Sequence, residues 1–149
     1  MHRLSTLDFV AGTPLMDWYF RLLGGSIGKN CCLYPAGGDP YMPEPDLVQI
    51  SDGVVIDVAS IVCHLNTRGN FELVPICLEK NTTMRTRSRA QQGVQIERGA
   101  MLLEKSLALT GEVIESGSIW QGSPAQVVTE YKNIPKNDES GKMTKLKHE

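Results

Sequence analysis

Aromatic side chains are scarce in this 149-residue chain, at 6%, and its charged groups nearly cancel to a net −2. A nucleic-acid groove needs a basic field and rings on which bases can stack, so that class of partner is excluded. No apolar run approaches the roughly 18 residues that a bilayer-crossing helix requires. The opening MHRLSTLDFV lacks the continuous apolar stretch of a secretory signal. The four cysteines, Cys31, Cys32, Cys63 and Cys77, are not spaced as zinc ligands. They are read as reduced thiols in a cytoplasmic protein, with Cys31, Cys63 and Cys77 acting as small apolar filler. Histidine is equally sparse: of His2, His64 and His148, two sit at the termini. A three-histidine zinc centre therefore cannot be built in the body of the chain, and no metal is expected.

Helical periodicity is missing as well, and another period takes its place. Stepping by six from Leu78 gives Met84, Ala90, Ile96, Leu102, Ala108, Ile114 and Trp120. Four positions after these marks the residues are mostly small: Thr82, Ser88, Val94, Ala100, Ser106 and Ser118, with Glu112 the exception. A helix would smear such a pattern around its circumference, whereas a short strand and a corner, repeated, preserve it. Three segments make a coil of about 18 residues, so that side chains eighteen apart stack at strand spacing. The register recurs upstream at Ile27 and Leu33, and at Ile50, Ile56 and Val62. It breaks twice. Residues 34–49 carry four prolines that cannot serve a ladder, and residues 65–75 form a second excursion.

Before the first coil, PLMDWYFRLL has a proline suited to a helix start and Gly24-Gly25 suited to its stop. Its apolar stripe, Leu15, Trp18, Tyr19, Leu22 and Leu23, is expected to cover the open end of the coil. Peripheral contact with a membrane is the alternative. Asp17 and Arg21 stand at i and i+4. The segment from Thr129 to Glu149 has no register, is rich in charge, and is expected to be a mobile tail.

These features resemble the left-handed β-helix hexapeptide-repeat proteins, most of which are acyltransferases. The likeness runs from about residue 27 to 128, and WQGSPAQVV is similar to the ending with which many of them leave the helix. GTPLMDWYFRLLGG followed by DLVQISDGVVIDVASIVCHL resembles, more narrowly, the C-terminal hexapeptide domains of synthetases related to nonribosomal peptide synthetases, a group that includes poly-lysine synthase. The expected fold is thus all-β: a left-handed parallel β-helix over 27–128, an N-terminal segment and capping helix over 1–26, loops at 34–49 and 65–75, and a tail over 129–149. The resemblance also implies a homotrimer.

Acyl transfer to an amine or hydroxyl needs a base that is partly neutral near pH 7. His64, at the root of the second loop, is the candidate. Asp57, Asp52 and Glu72 could each fix its tautomer, and Asp57 is the one chosen. Cys63 is a poor nucleophile for His64 to activate, because adjacent strand residues face opposite ways. Arg87 stacks over Lys105 one coil on, and like charges so placed call for an anion such as a pyrophosphate or phosphopantetheine phosphate. Lys80 over Arg98 is instead explained by diagonal pairing with Glu79, Glu97 and Glu115. The resemblance places a pantetheine arm along Gly122, Ser123 and Pro124, and leaves Trp120 to plug the last coil. The resulting expectation is an enzyme with no permanently bound cofactor. Its donor is a coenzyme A or phosphopantetheine thioester, and its acceptor a small molecule or a carrier-bound group. The rival reading is a catalytically silent trimeric scaffold within a synthetase-like assembly, or other natural-product chemistry on the same fold.

Overall fold

The computed structural model describes residues 10–37 and 40–128, and the tail expected over 129–149 lies outside them. Apart from one helix, Pro14–Leu22, and a 3-10 turn at Pro45–Leu47, the regular structure of the described residues is strand. Most strands belong to three sheets. The first contains Ser26–Ile27, Val48–Ile50, Ile76–Leu78, Gln95–Ile96 and Val113–Ile114. The second contains Cys32–Leu33, Val55–Ile56, Thr83–Met84, Met101–Leu102 and Ile119–Gly122, closed by an antiparallel Ala125–Val127. The third contains Ser60–Ile61, Arg89–Ala90 and Leu107–Ala108.

From Ile76 onward the chain visits first, second and third sheets in rotation, and each strand pairs in parallel with the one a full circuit later. Gln95 pairs with Val113, Thr83 with Met101 and Arg89 with Leu107. A strand of two residues sends one side chain in and one out. Hence Leu78, Met84, Ala90, Ile96, Leu102, Ala108 and Ile114 are all at 0% exposure. The small residues fill the corners, where buried hydroxyls are satisfied locally: Thr82 Oγ1 donates to the Glu79 carbonyl at 3.0 Å and Ser88 Oγ to that of Arg85 at 2.6 Å. Trp120 is half-buried against the core, with Nε1 donating to Ser118 Oγ at 2.8 Å.

Carboxylates tie successive circuits together. Glu79 Oε2 accepts from the Arg98 backbone N–H at 3.0 Å, and Glu97 Oε2 from that of Ser116 at 2.9 Å. Lys80 pairs with Asp52 at 3.5 Å. The acidic column therefore caps backbone donors in the next circuit, in place of the diagonal pairing with Lys80 and Arg98 that the sequence suggested.

Three expectations need correction. Val62 does not occupy the inward phase: Ile61 pairs with Ala90 and is fully buried, one residue earlier than the six-residue count. The cause is a short corner. Only Asp57, Val58 and Ala59 separate Ile56 from Ser60, with the Ala59 N–H closing onto the Asp57 carbonyl at 2.7 Å. Cys77 is not core filler; it lies on the outward side of the first sheet, between Gln49 and Gln95. The helix does pack on the first strands, but through Met16 and Phe20. Leu15, Trp18, Leu22 and Leu23 of the expected stripe are exposed, and Tyr19 is half-buried. Arg21 does not bridge to Asp17; it donates to the carbonyls of Ile27 and Gly28 at 3.1 and 2.6 Å.

Asp17 is consequently a buried carboxylate whose Oδ1 has no partner among the described residues. Burial raises its pKa above 3.8, and the Arg21 charge opposes this only in part. A group whose folded pKa is raised contributes stability below its unfolded pKa and loses it as pH rises through the folded value. Asp17→Asn should therefore raise the melting temperature at pH 7, and the gain should vanish below about pH 3.8; thermal melts at the two pH values check this.

Gly28 sits where the backbones of two circuits pass close together. A Cβ there would lie 2.5 Å from Ser51 C and 2.6 Å from Asp52 N, both backbone atoms. Gly28→Ala should cost about 1–3 kcal/mol, the usual penalty of overpacking, read as a lower urea midpoint.

Candidate functional site

The short corner at residues 57–59 decides what the next residues do. With Ile61 turned inward, Cys63 also falls inside, at 0% exposure, and His64 comes out at the start of an antiparallel hairpin, His64–Thr67 with Asn70–Leu73. Phe71 on the returning strand stacks on the imidazole, with centroids 5.9 Å apart and planes at 20°.

The acid that meets His64 comes from the proline-rich excursion. Glu44 precedes the Pro45–Leu47 turn. Its Oε1 lies 2.5 Å from His64 Nδ1, and its Oε2 accepts the Cys63 backbone N–H at 3.2 Å. Both side chains are largely covered, His64 at 33% and Glu44 at 19% exposure. An ionised carboxylate only accepts hydrogen bonds, so a neutral His64 carries its proton on Nδ1 and keeps its lone pair on Nε2. That is the tautomer of a base whose second nitrogen is free. Cys63 is unsuited to nucleophilic work, since burial, helped by the nearby Glu44 charge, pushes its thiol up to about 11.

Asp57 is not beside His64. Its Oδ2 lies 3.6 Å from Arg85 Nη1, and Arg85 Nε also meets Glu104 at 2.9 Å. The orienting acid chosen from the sequence thus belongs to a charge ladder at another corner, and Glu44 takes the place beside the imidazole. Nothing periodic announces Glu44, because it lies between two prolines and meets His64 twenty residues on, after three intervening strands.

Arg87 and Lys105 fall where the sequence placed them. Thr83–Met84 pairs with Met101–Leu102 and Leu102 with Trp120, so Arg87, Lys105 and Ser123 follow their strands by the same number of residues. Arg87 and Lys105 both occupy left-handed backbone positions, at φ 61° and 56°. Both are exposed, and among the described residues neither side chain has an ion pair. Gly122 lies beside Lys105's corner, its N–H donating to Ser106 Oγ at 3.1 Å. It leads through a cis Ser123–Pro124 bond into the closing hairpin. The cationic corner enters the third sheet and the His64 corner leaves it. From Arg87 to Gln92 an extended chain covers roughly 16 Å at strand rise.

A small open cleft of about 60 Å³ lies at the His64 corner, lined by His64, Leu65, Arg89, Gln91, Gln92 and Thr110 among others. Among the described residues no three His, Cys, Asp or Glu side chains converge as metal ligands would. No described helix is long and apolar enough to cross a membrane.

No protein-family profile matches the chain. Over 120 residues, 80% of its length, it is 28% identical to a delta-poly-L-ornithine synthetase of Acinetobacter baumannii, and the match spans 9% of that much longer protein. Among solved structures it resembles a hexapeptide-repeat acetyltransferase of Vibrio cholerae complexed with acetyl coenzyme A, with TM-score 0.63 and 15% identity over 85% of this chain and 84% of that one. It also resembles a mutant N-acyltransferase of Bacillus cereus complexed with dTDP and coenzyme A, with TM-score 0.53 and 13% identity over 75% of this chain and 88% of that one. A serine O-acetyltransferase of Brucella melitensis gives TM-score 0.56 and 12% identity over 70% of this chain and 38% of that one. The chain thus shares the fold of hexapeptide-repeat acetyltransferases.

If Glu44 holds the proton on Nδ1, nitrogen NMR of neutral His64 should show the Nδ1–H tautomer predominating. Glu44→Ala should restore a mixture of the two forms.

Proposed function

We propose that the chain is a left-handed β-helix acyltransferase in which His64, oriented by Glu44, is the general base. The donor is a thioester of coenzyme A or of a carrier-protein pantetheine, and the acceptor an amine or hydroxyl. Nε2 takes the acceptor's proton as its nitrogen or oxygen attacks the thioester carbonyl carbon. The C–S bond then breaks, and the departing thiolate recovers a proton from the imidazolium. The observation that carries this reading is the Glu44–His64 pair, with Glu44 anchored on the Cys63 backbone and Nε2 without a partner among the described residues.

The cationic corner supplies the other half. Arg87 and Lys105 face solvent with no carboxylate paired to them among the described residues, which suits the phosphates of such a donor. The third sheet's outward side then leads the pantetheine arm toward His64, with Gly122, Ser123 and Pro124 at the edge of its entry. Neighbours of this fold complexed with acetyl coenzyme A or coenzyme A support the choice of donor. Residues 27–128 form the transferase body, which works as a cytoplasmic homotrimer in synthetase-like, natural-product metabolism, as the match to the ornithine-polymer synthetase suggests. The exposed Leu15, Trp18, Leu22 and Leu23 favour peripheral contact with a membrane surface.

With acetyl coenzyme A and a reactive acceptor, His64→Ala should lower kcat roughly 100-fold or more, the usual contribution of a positioned base. Arg87→Ala should act mainly on the donor, raising its KM about 10-fold through lost phosphate contact. A silent scaffold would show no turnover for either variant to change, and equal kcat for His64→Ala and parent would end the general-base assignment.

A further inference from the structure

We infer that the acceptor of this site carries a carboxylate as well as its reacting amine, the two held by Arg89 and Gln92; the inference rests on the transfer reading above. Arg89 lies on the outward side of the third sheet, paired in register with Ser60, and lines the cleft that holds His64. It is exposed and has no ion pair among the described residues, so its five donors are available to a ligand. Gln91, in the same wall, uses its Oε1 to accept from the Thr110 N–H at 3.1 Å and hydroxyl at 3.3 Å. That leaves its amide N–H groups as further donors.

A wall of donors around one permanent cation selects an anion, and the planar fork of arginine matches a carboxylate in particular. Gln92 supplies the complementary group. It is 3% exposed, lines the same cleft, and its Oε1 has no hydrogen-bond partner among the described residues. A buried acceptor left unpaired costs about 1–3 kcal/mol. A ligand N–H would remove that cost on binding, beside the imidazole that must take the proton. Arg89, Gln92 and His64 thus ask for a small molecule with an amine at one end and a carboxylate at the other.

The test is an NMR titration of the full chain with 4-aminobutyrate, butyrate and butylamine, repeated with Arg89→Ala and Gln92→Leu. The parent should bind 4-aminobutyrate roughly 10- to 100-fold more tightly than butylamine, the range expected of a charge-assisted contact. Arg89→Ala should abolish that margin. Gln92→Leu should erase the preference for 4-aminobutyrate over butyrate and, by removing an unpaired buried acceptor, raise the melting temperature. A merely structural Gln92 would not move ligand preference. Equal affinity of the parent for 4-aminobutyrate and butylamine, or equal weakening of both by Arg89→Ala, overturns the inference. A preference over butyrate that survives Gln92→Leu overturns Gln92's part in it. If the selectivity is found but the parent transfers no acetyl group from acetyl coenzyme A to 4-aminobutyrate, the subsite stands and the transfer reading fails.

Discussion

Every feature of this molecule depends on the parallel backbone ladder between one circuit and the next. A strand of two residues makes too few hydrogen bonds to persist alone, and it is held because its neighbours above and below present the same groups at the same height. The corners must therefore deliver the chain to each sheet in register. Where they do so, as from Leu78 to Ile114, one apolar residue per segment is enough to build the core. Where a corner is one residue short, between Ile56 and Ser60, the ladder is kept and the count shifts by one, so that Ile61 stacks inward on Ala90. The candidate site lies just beyond that shift.

The two irregular excursions meet there. The proline-rich segment delivers Glu44, the hairpin delivers His64 and Phe71, and the Cys63 backbone is their common anchor. Glu44 uses one oxygen to fix its own position and the other to orient the ring, so the imidazole is held by the fold through a single intermediary. This arrangement puts the candidate site on loops while borrowing rigidity from the coil. It also explains why Cys63, although adjacent to His64, takes no part. The residue is inside the wall, where burial and the Glu44 charge keep its thiol protonated.

The periodic part of the fold was readable because a repeated environment leaves a repeated residue. Ile96, Leu102 and Ala108 are where the six-residue count puts them, and the register that stacks Arg87 over Lys105 follows from the same count. His64 was singled out for another reason, its scarcity. The errors have equally physical sources. A corner shortened by one residue leaves no mark in composition, so Val62 was placed inside instead of Ile61. Helix amphipathicity pointed to the more hydrophobic stripe, but Met16 and Phe20 are the residues that face the first strands. The partner of His64 was sought among residues near it in the count. Glu44 lies in a stretch with no period, and only the path of the excursion brings it close.

The carboxylate contacts between circuits have a direction. Among the described carboxylates that cap a backbone N–H of another circuit, Glu79 and Glu97 reach forward by nineteen residues and Asp52 reaches back, to Lys29. On a ribosome the N-terminal circuits emerge first. Asp52 meets a partner already outside the tunnel, whereas Glu79 and Glu97 wait as ionised groups in water, where waiting is harmless, until the donors they will cap are synthesised. Each finished circuit thus waits on the next with two kinds of group, strand N–H donors such as those of Thr83 and Gln95 and the carboxylate acceptors of Glu79 and Glu97.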